Sequence, residues 1–207
     1  MEKVGSLAIP NWQTEIIAVD DFSTDGARII LHEYQNKYKV IYHHKNRGKG
    51  SAVKSGIEQS TGDYIVIQDA DLEYNPNEIP RLIAALDGKE NRVVYGSRNI
   101  NTKDRKMMLL PRLGIWFITK EFNILFGAKL TDLWTCYKLF PREASGFFPA
   151  GKFESELSFS ARLIRNGFEI IEVEISHNPR SFSEGKKIGY MDGIKGILTV
   201  FKEYFRN

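Results

Sequence analysis

The sequence predicts an α/β fold, a mainly parallel sheet with helices on both faces. Three observations lead there. Short strand-forming runs alternate with segments of helical period over the first hundred residues, the order that right-handed strand–helix–strand crossovers need. One of those runs, Tyr64 to Ile67 in DYIVIQDAD, is apolar without a break, as suits a strand covered on both faces. Finally, 207 residues that are 42% hydrophobic and 27% charged suffice for one substantial core.

The elements follow in order. EIIAV (15–19) reads as the first strand, and the segment after it sets Ala27, Ile30, Leu31, Tyr34 and Tyr38 at helical spacing. KVIYHH (39–44) is a second strand, followed by a helix near 49–60. After the strand at 63–71, Pro76 opens a helix whose apolar face is Ile79, Leu82, Ile83 and Leu86. RVVYGSR is the next strand.

Beyond residue 100 the rhythm changes. A basic segment, NTKDRKMMLLPR (101–112), leads into the aromatic run IWFITKEFNILF. A strand within LTDLWTCYKLFPR, a helix in ESELSFSARLIRNG ended by Gly167, and a strand in FEIIEVEI follow. The tail sets Ile188, Met191, Ile194, Leu198, Phe201 and Phe205 at helical spacing. Gly189, Gly193 and Gly196 oppose that helix by about 1 kcal/mol each if interior. Without repeat, low-complexity tract or linker, residues 1–207 read as a single domain.

Composition removes several classes of function. A net charge of +3, with basic residues spread along the chain, does not point to nucleic acid. Cys136 is the one cysteine, so an internal disulfide is impossible and no thiolate set exists for structural zinc; a reducing, cytoplasmic setting fits. His43, His44 and His177 lack zinc-ligand spacing. No run approaches the ~20 apolar residues that span a bilayer, and the N-terminus has no signal-peptide pattern. The chain reads as soluble or peripheral. Trp116, Phe117, Phe122 and Phe126, beside the basic stretch, either pack on the sheet or form an amphipathic membrane-facing helix.

The chemistry gathers at strand ends. In an open parallel sheet the residues just past the C-terminal ends of the strands share one edge, where ligands bind. Asp20 and Asp21 stand at one such end, and Asp69 and Asp71 at another. Carboxylates clustered there need a cation or hydrogen-bond donors. A hard divalent ion, Mg²⁺ or Mn²⁺, typically takes one or two carboxylates and completes its shell with water and phosphate oxygens. In NRGKGSAVKSG, Gly48 and Gly50 permit close backbone approach at a helix start, where Arg47 and Lys49 add positive charge that favours an anion. The alternative for the acids is a set of solvated turn residues and helix caps.

In their order, IIAVDDFSTDGA, NRGKGSAVKSGIEQSTGDYIVIQDADLEY, YGSR, TDLWTCYKLFPR and EIIEVEISHNPRSFSEGKKIGYMDGI resemble family 2 glycosyltransferases of the GT-A fold. Within that family they are most similar to dolichyl- or polyprenyl-phosphate sugar synthases. The resemblance implies inverting transfer of a sugar from a nucleotide diphosphate donor, with about 1–100 as the nucleotide-sugar-binding half and about 101–207 as the acceptor side. It implies that Asp20 and Asp21 lie at the nucleotide, and that Asp69 and Asp71, the D-x-D pair, hold the metal and diphosphate with Gln68 and Glu73 beside them. Arg98 would approach the donor phosphates or sugar. Arg180 and Lys186 or Lys187 resemble a basic motif that holds phosphate, and Glu156 sits where relatives have an acid facing the acceptor. A hydroxyl acceptor needs a general base, for which Glu156 is the leading candidate. A lipid phosphate, met at the inner face of the membrane, is already ionised and needs none.

The chain also departs from the family. Relatives begin with a further strand, with a pattern like V-x-x-P-x-Y-N-E, and a helix before the strand matching IIAVDD. The expectation is an N-terminally incomplete sheet, which either self-associates through an exposed edge or is filled by VGSLAIP (4–10). That leaves a second reading, a non-catalytic glycosyltransferase-like protein acting through interactions. A phosphorylation receiver domain is mimicked by the order Asp20, Asp21, Asp69, Ser97, Lys138, but it needs only ~120 residues.

Overall fold

The computed structural model describes residues 1–71, 73–100, 109–178 and 190–206. Its strands are β1 (Ile17–Asp20), β2 (Lys39–Tyr42), β3 (Tyr64–Val66), β4 (Arg92–Ser97), β5 (Lys138–Pro141) and β6 (Glu169–Glu174). The helices are α1 (Glu2–Gly5), α2 (Ala27–Glu33), α3 (Lys49–Gln59), α4 (Ile79–Ala84, after a 3₁₀ turn at Pro76–Glu78), α5 (Leu109–Phe126), α6 (Arg142–Ser145), α7 (Ser155–Arg165) and α8 (Tyr190–Tyr204).

The strands form two sheets. β1 and β2 pair in parallel, and the other four run in the order β3-β5-β4-β6. There β5 is antiparallel to both β3 and β4, while β4 and β6 are parallel. Three of the four strands therefore point one way, as expected of a mainly parallel sheet. The predicted strand at 63–71 ends early: Ile67 N still bonds Lys138 O, but the residues from Gln68 leave the ladder and turn into the acidic loop.

Alternation along β4 explains the layers. Val93 and Tyr95 enter a cluster with Ile57 of α3, Phe140 of β5, and Phe159 and Leu163 of α7. Val94, pointing the other way, joins Tyr74, Leu82 of α4, Tyr137, Leu139 and Ile175. Helices thus cover both faces. A third cluster binds α5, α7 and α8 through Ile118, Phe122, Leu157, Trp134 and Val200. Gly196 does not weaken α8 as expected. A side chain there would meet Ile118, Leu157 and Trp134 at 3.1 to 3.2 Å, so its absence lets α8 approach α5 and α7. Within the aromatic run Phe122 is buried in this cluster, while Trp116 and Phe117 are exposed.

Between the two sheets the pairing stops. Among the described residues no strand pairs with the outer edge of β1 or of β3. The segment 4–10, expected to fill such a gap, forms no strand. Leu7 and Ile9 instead pack on the second cluster beside Tyr64 and Val66, and Trp12 meets the Tyr64 ring edge-on at 5.5 Å.

Candidate active site

Two like charges stand together at the end of β1 because each has its own donors. Asp20, 3% exposed, accepts from Ser23 N at 3.1 Å and from Arg28 Nε at 3.0 Å. The same guanidinium donates to His43 O at 2.8 Å and lies over the Tyr42 ring, tying β1 to β2. Burial alone would raise the Asp20 carboxyl, but the Ser23 and Arg28 bonds bring it below its ordinary range.

Asp21 faces the next helix. It accepts from Arg47 N at 2.9 Å and Gly48 N at 2.7 Å, and its Oδ1 lies 2.7 Å from His43 Nδ1. It therefore fixes the chain entering α3. Gly48 has φ 88°, and a side chain on it would strike Gly151 O and Lys152 at 2.8 Å, so this approach needs glycine.

From that fixed helix start, Lys49 reaches the second acid pair. Its ammonium lies 2.7 Å from Asp69 Oδ2 and 3.4 Å from Glu156 Oε1. The other Glu156 oxygen accepts from Lys138 Nζ at 2.6 Å. Lys138 is 0% and Glu156 1% exposed at the side chain, and Lys138 also donates to Thr135 O and lies over the Tyr95 ring. An alternating row results: Asp69, Lys49, Glu156, Lys138. The start of α3 thus lies between the two acid pairs, with Asp21 holding Arg47 N and Gly48 N and Lys49 reaching Asp69.

Glu156 is neither solvent-facing nor placed as a base. Burial raises its carboxyl, yet Lys138 and Lys49 bring it below its ordinary range. A buried, doubly paired carboxylate is a weak proton acceptor.

Arg98 is likewise engaged within the protein. Its Nε and Nη2 donate to the two Asp132 oxygens at 2.6 and 2.7 Å, and its backbone N donates to Oδ2 at 3.1 Å. Glu172 in turn accepts from Thr131 N at 2.7 Å and Asp132 N at 2.8 Å. These bonds fix the loop carrying Asp132.

Asp71 Oδ1 accepts from Glu73 N at 3.1 Å, which bends the acidic loop. Gln68 Nε2 donates to Asp69 O at 3.0 Å, whereas its Oε1 is buried without a hydrogen-bond partner. Glu73 meets His177 Nε2 at 3.1 Å. Burial and the nearby Arg98 charge lower the His177 pKa, which favours a neutral ring at pH 7.

Among the described residues no three His, Cys, Asp or Glu side chains converge as a metal group. Asp69 and Asp71 nonetheless supply hard oxygen donors, and Gln68, next in sequence, has its Oε1 buried without a hydrogen-bond partner. This set fits a Mg²⁺ or Mn²⁺ that draws the rest of its shell from water and phosphate. Arg180, Lys186 and Lys187 lie outside the described residues.

Asp132 and Glu172 are site residues that spacing did not single out, and Lys138 entered only through the receiver-domain order. A lysine flanked by apolar residues in CYKLF is the one signal of the three that stands in the sequence, since a charge inside a strand needs a buried partner.

The family model described as glycosyl transferase family 2 matches residues 7–146. An undecaprenyl-phosphate 4-deoxy-4-formamido-L-arabinose transferase of Proteus mirabilis is 29% identical over 185 residues, covering 83% of this chain and 52% of that protein. A dolichol-phosphate mannosyltransferase of Pyrococcus furiosus is 38% identical over 95 residues, 45% of this chain and 27% of that one. The chain thus spans about half the length, or less, of these curated relatives. Among solved structures, glucosyl-3-phosphoglycerate synthase from Mycobacterium tuberculosis, crystallised with Mn²⁺, UDP and phosphoglyceric acid, superposes with a TM-score of 0.66 at 18% identity, covering 93% of this chain and 68% of that chain. The chain belongs to glycosyl transferase family 2, with the GT-A fold.

Proposed function

We propose that this chain transfers a sugar, with inversion, from a nucleotide diphosphate sugar to a polyprenyl phosphate. The observation that carries the reading is the meeting of Lys49 with Asp69 at the ligand-binding edge of the sheet. There Asp69 and Asp71 would hold a Mg²⁺ or Mn²⁺, which neutralises charge growing on the departing diphosphate. Lys49 supplies a fixed cation beside it. Arg98, held by Asp132, would approach the donor, and Asp21 keeps the α3 entry in place. Arg180 with Lys186 or Lys187 would bind phosphate.

The setting of Glu156 supports a phosphate acceptor. Buried and paired with two lysines, it offers no base for a hydroxyl. An ionised phosphate needs positioning and charge neutralisation only. The printed names of the curated relatives support the same class of acceptor.

The α5 and α8 surface supports a peripheral seat on a membrane. Trp116 is 56% exposed, Phe117 53%, Ile124 80%, Leu198 62% and Phe205 74%, with Lys120, Lys195 and Lys202 exposed around them. Apolar side chains rimmed by lysines suit an anionic bilayer surface. Among the described residues no helix is long and apolar enough to cross a membrane.

A second reading, a glycosyltransferase-like chain acting through interactions, draws on the unpaired edges of β1 and β3. A panel of UDP- and GDP-sugars, with polyprenyl phosphate and Mn²⁺ or Mg²⁺, separates the two. The enzymatic reading expects metal-dependent release of nucleotide with at least one donor, and absence of release with every donor rejects it.

A further inference from the structure

Lys49 is bound in an unbalanced way. Its ammonium makes a hydrogen bond to Asp69 Oδ2 at 2.7 Å, while it meets the buried Glu156 Oε1 only as a longer ion pair at 3.4 Å. The other oxygen of Glu156 is satisfied by Lys138. A buried carboxylate oxygen gains from a close donor, and the lysine sits tightly on one carboxylate and loosely on the next.

The occupied oxygen belongs to one of the two carboxylates that a divalent ion would use. An ammonium cannot share it with a divalent cation at contact distance, because like charges there repel strongly. We propose that Lys49 is a resident cation with two seats: on Asp69 while the metal is absent, and on Glu156 Oε1 once a metal and a nucleotide diphosphate enter together.

The inference rests on the donor-site reading above. Nothing but the side chain needs to move. The root of Lys49 is fixed, since Asp21 holds Arg47 N and Gly48 N just before it, and closing from 3.4 Å to a normal hydrogen bond is a shift of well under about 1 Å. Each seat is a carboxylate, so the ammonium has an opposite charge beside it in either one.

In this scheme Glu156 is a positioning residue, the second seat. Alone, the metal must displace an ammonium from Asp69. With a diphosphate present, the added negative charge accommodates both cations. Metal loading is thereby tied to nucleotide.

The test is Mn²⁺ titration of the full chain without nucleotide, followed by the paramagnetic resonance signal of the free ion. Lys49→Met is expected to bind Mn²⁺ at least about tenfold more tightly than wild type, and adding Asp69→Asn to that variant should remove the gain. UDP or GDP should narrow the gap between wild type and Lys49→Met. Lys49→Gln, which keeps a donor toward Asp69, serves if the methionine variant melts early. If wild type takes up Mn²⁺ with nucleotide and both Lys49 variants bind the bare ion no more tightly than wild type, the two-seat scheme is wrong while the donor site stands. If wild type takes up no Mn²⁺ with either nucleotide, the donor-site reading fails and the scheme with it.

Discussion

The β1–β2 sheet and the four-stranded sheet are held by different forces. In β4, residues Val93 to Ser97 are all buried, packed from both faces. In β1 only Asp20 is buried, and Ile17, Ala18 and Val19 remain half-covered. The small sheet is fastened at its C-terminal end by directional bonds: Asp20 to Arg28, Arg28 to His43 O, Asp21 to Gly48 N. The larger one combines apolar clusters with two enclosed ion pairs, Arg98–Asp132 and Lys138–Glu156. Lys49 joins the regions at the site. One side of the site is therefore closed by packing on both faces and the other by directional bonds.

The comparison breaks most visibly at Asp132. Asp132→Ala leaves Arg98 without its bidentate partner in a closed environment and should destabilise the protein by about 3–5 kcal/mol. Urea denaturation measures it, and a loss under about 1 kcal/mol would mean that the larger sheet does not depend on this pair.

Asp21→Asn probes the other side with a smaller effect, about 1–3 kcal/mol. It should act locally. Hydrogen exchange should quicken at the amides of Arg47 and Gly48 while the amides of β4 stay protected. Uniform acceleration across both sheets would show that they open as one unit.

A third test sharpens the picture through pH. Both carboxylate oxygens of Glu121 on α5 are buried without a hydrogen-bond partner, and burial raises its pKa from 4.5 to about 7. Between those values the folded chain keeps a proton that the unfolded chain has released, so stability falls as pH rises from 4.5 to about 7. Glu121→Gln should match wild type at pH 4 and melt higher at pH 8, by a modest margin because the side chain is half-buried. Equal melting temperatures at pH 8 would contradict this origin of the shift.

How much of this was legible in the sequence depends on distance along the chain. Asp20, Asp21, Asp69 and Asp71 stood out because they follow strand-forming runs directly, and Lys49 because it opens a helix between glycines. Asp132 and Glu156 act through partners 34 and 18 residues away, and no local period records such a pairing. Lys138 hid as one charge in a strand that is otherwise apolar. The base role expected for Glu156 did not anticipate its enclosure by α7 and β5. Gly196 looked like a flaw in a helix until the close approach of α5 and α7 explained it. The end of β3 at Val66 was unreadable because Ile67 to Asp71 keeps strand-like neighbours after the chain has turned.

The central claim is that Asp69 and Asp71 bind a nucleotide diphosphate through a divalent ion. Calorimetric titration of UDP and GDP into the full chain, with and without Mn²⁺ and beside Asp71→Asn, tests it most directly. The account predicts that at least one nucleotide binds with metal-dependent affinity, weakened by about tenfold or more in the variant. Equal affinity in both proteins, with and without the metal, would contradict it.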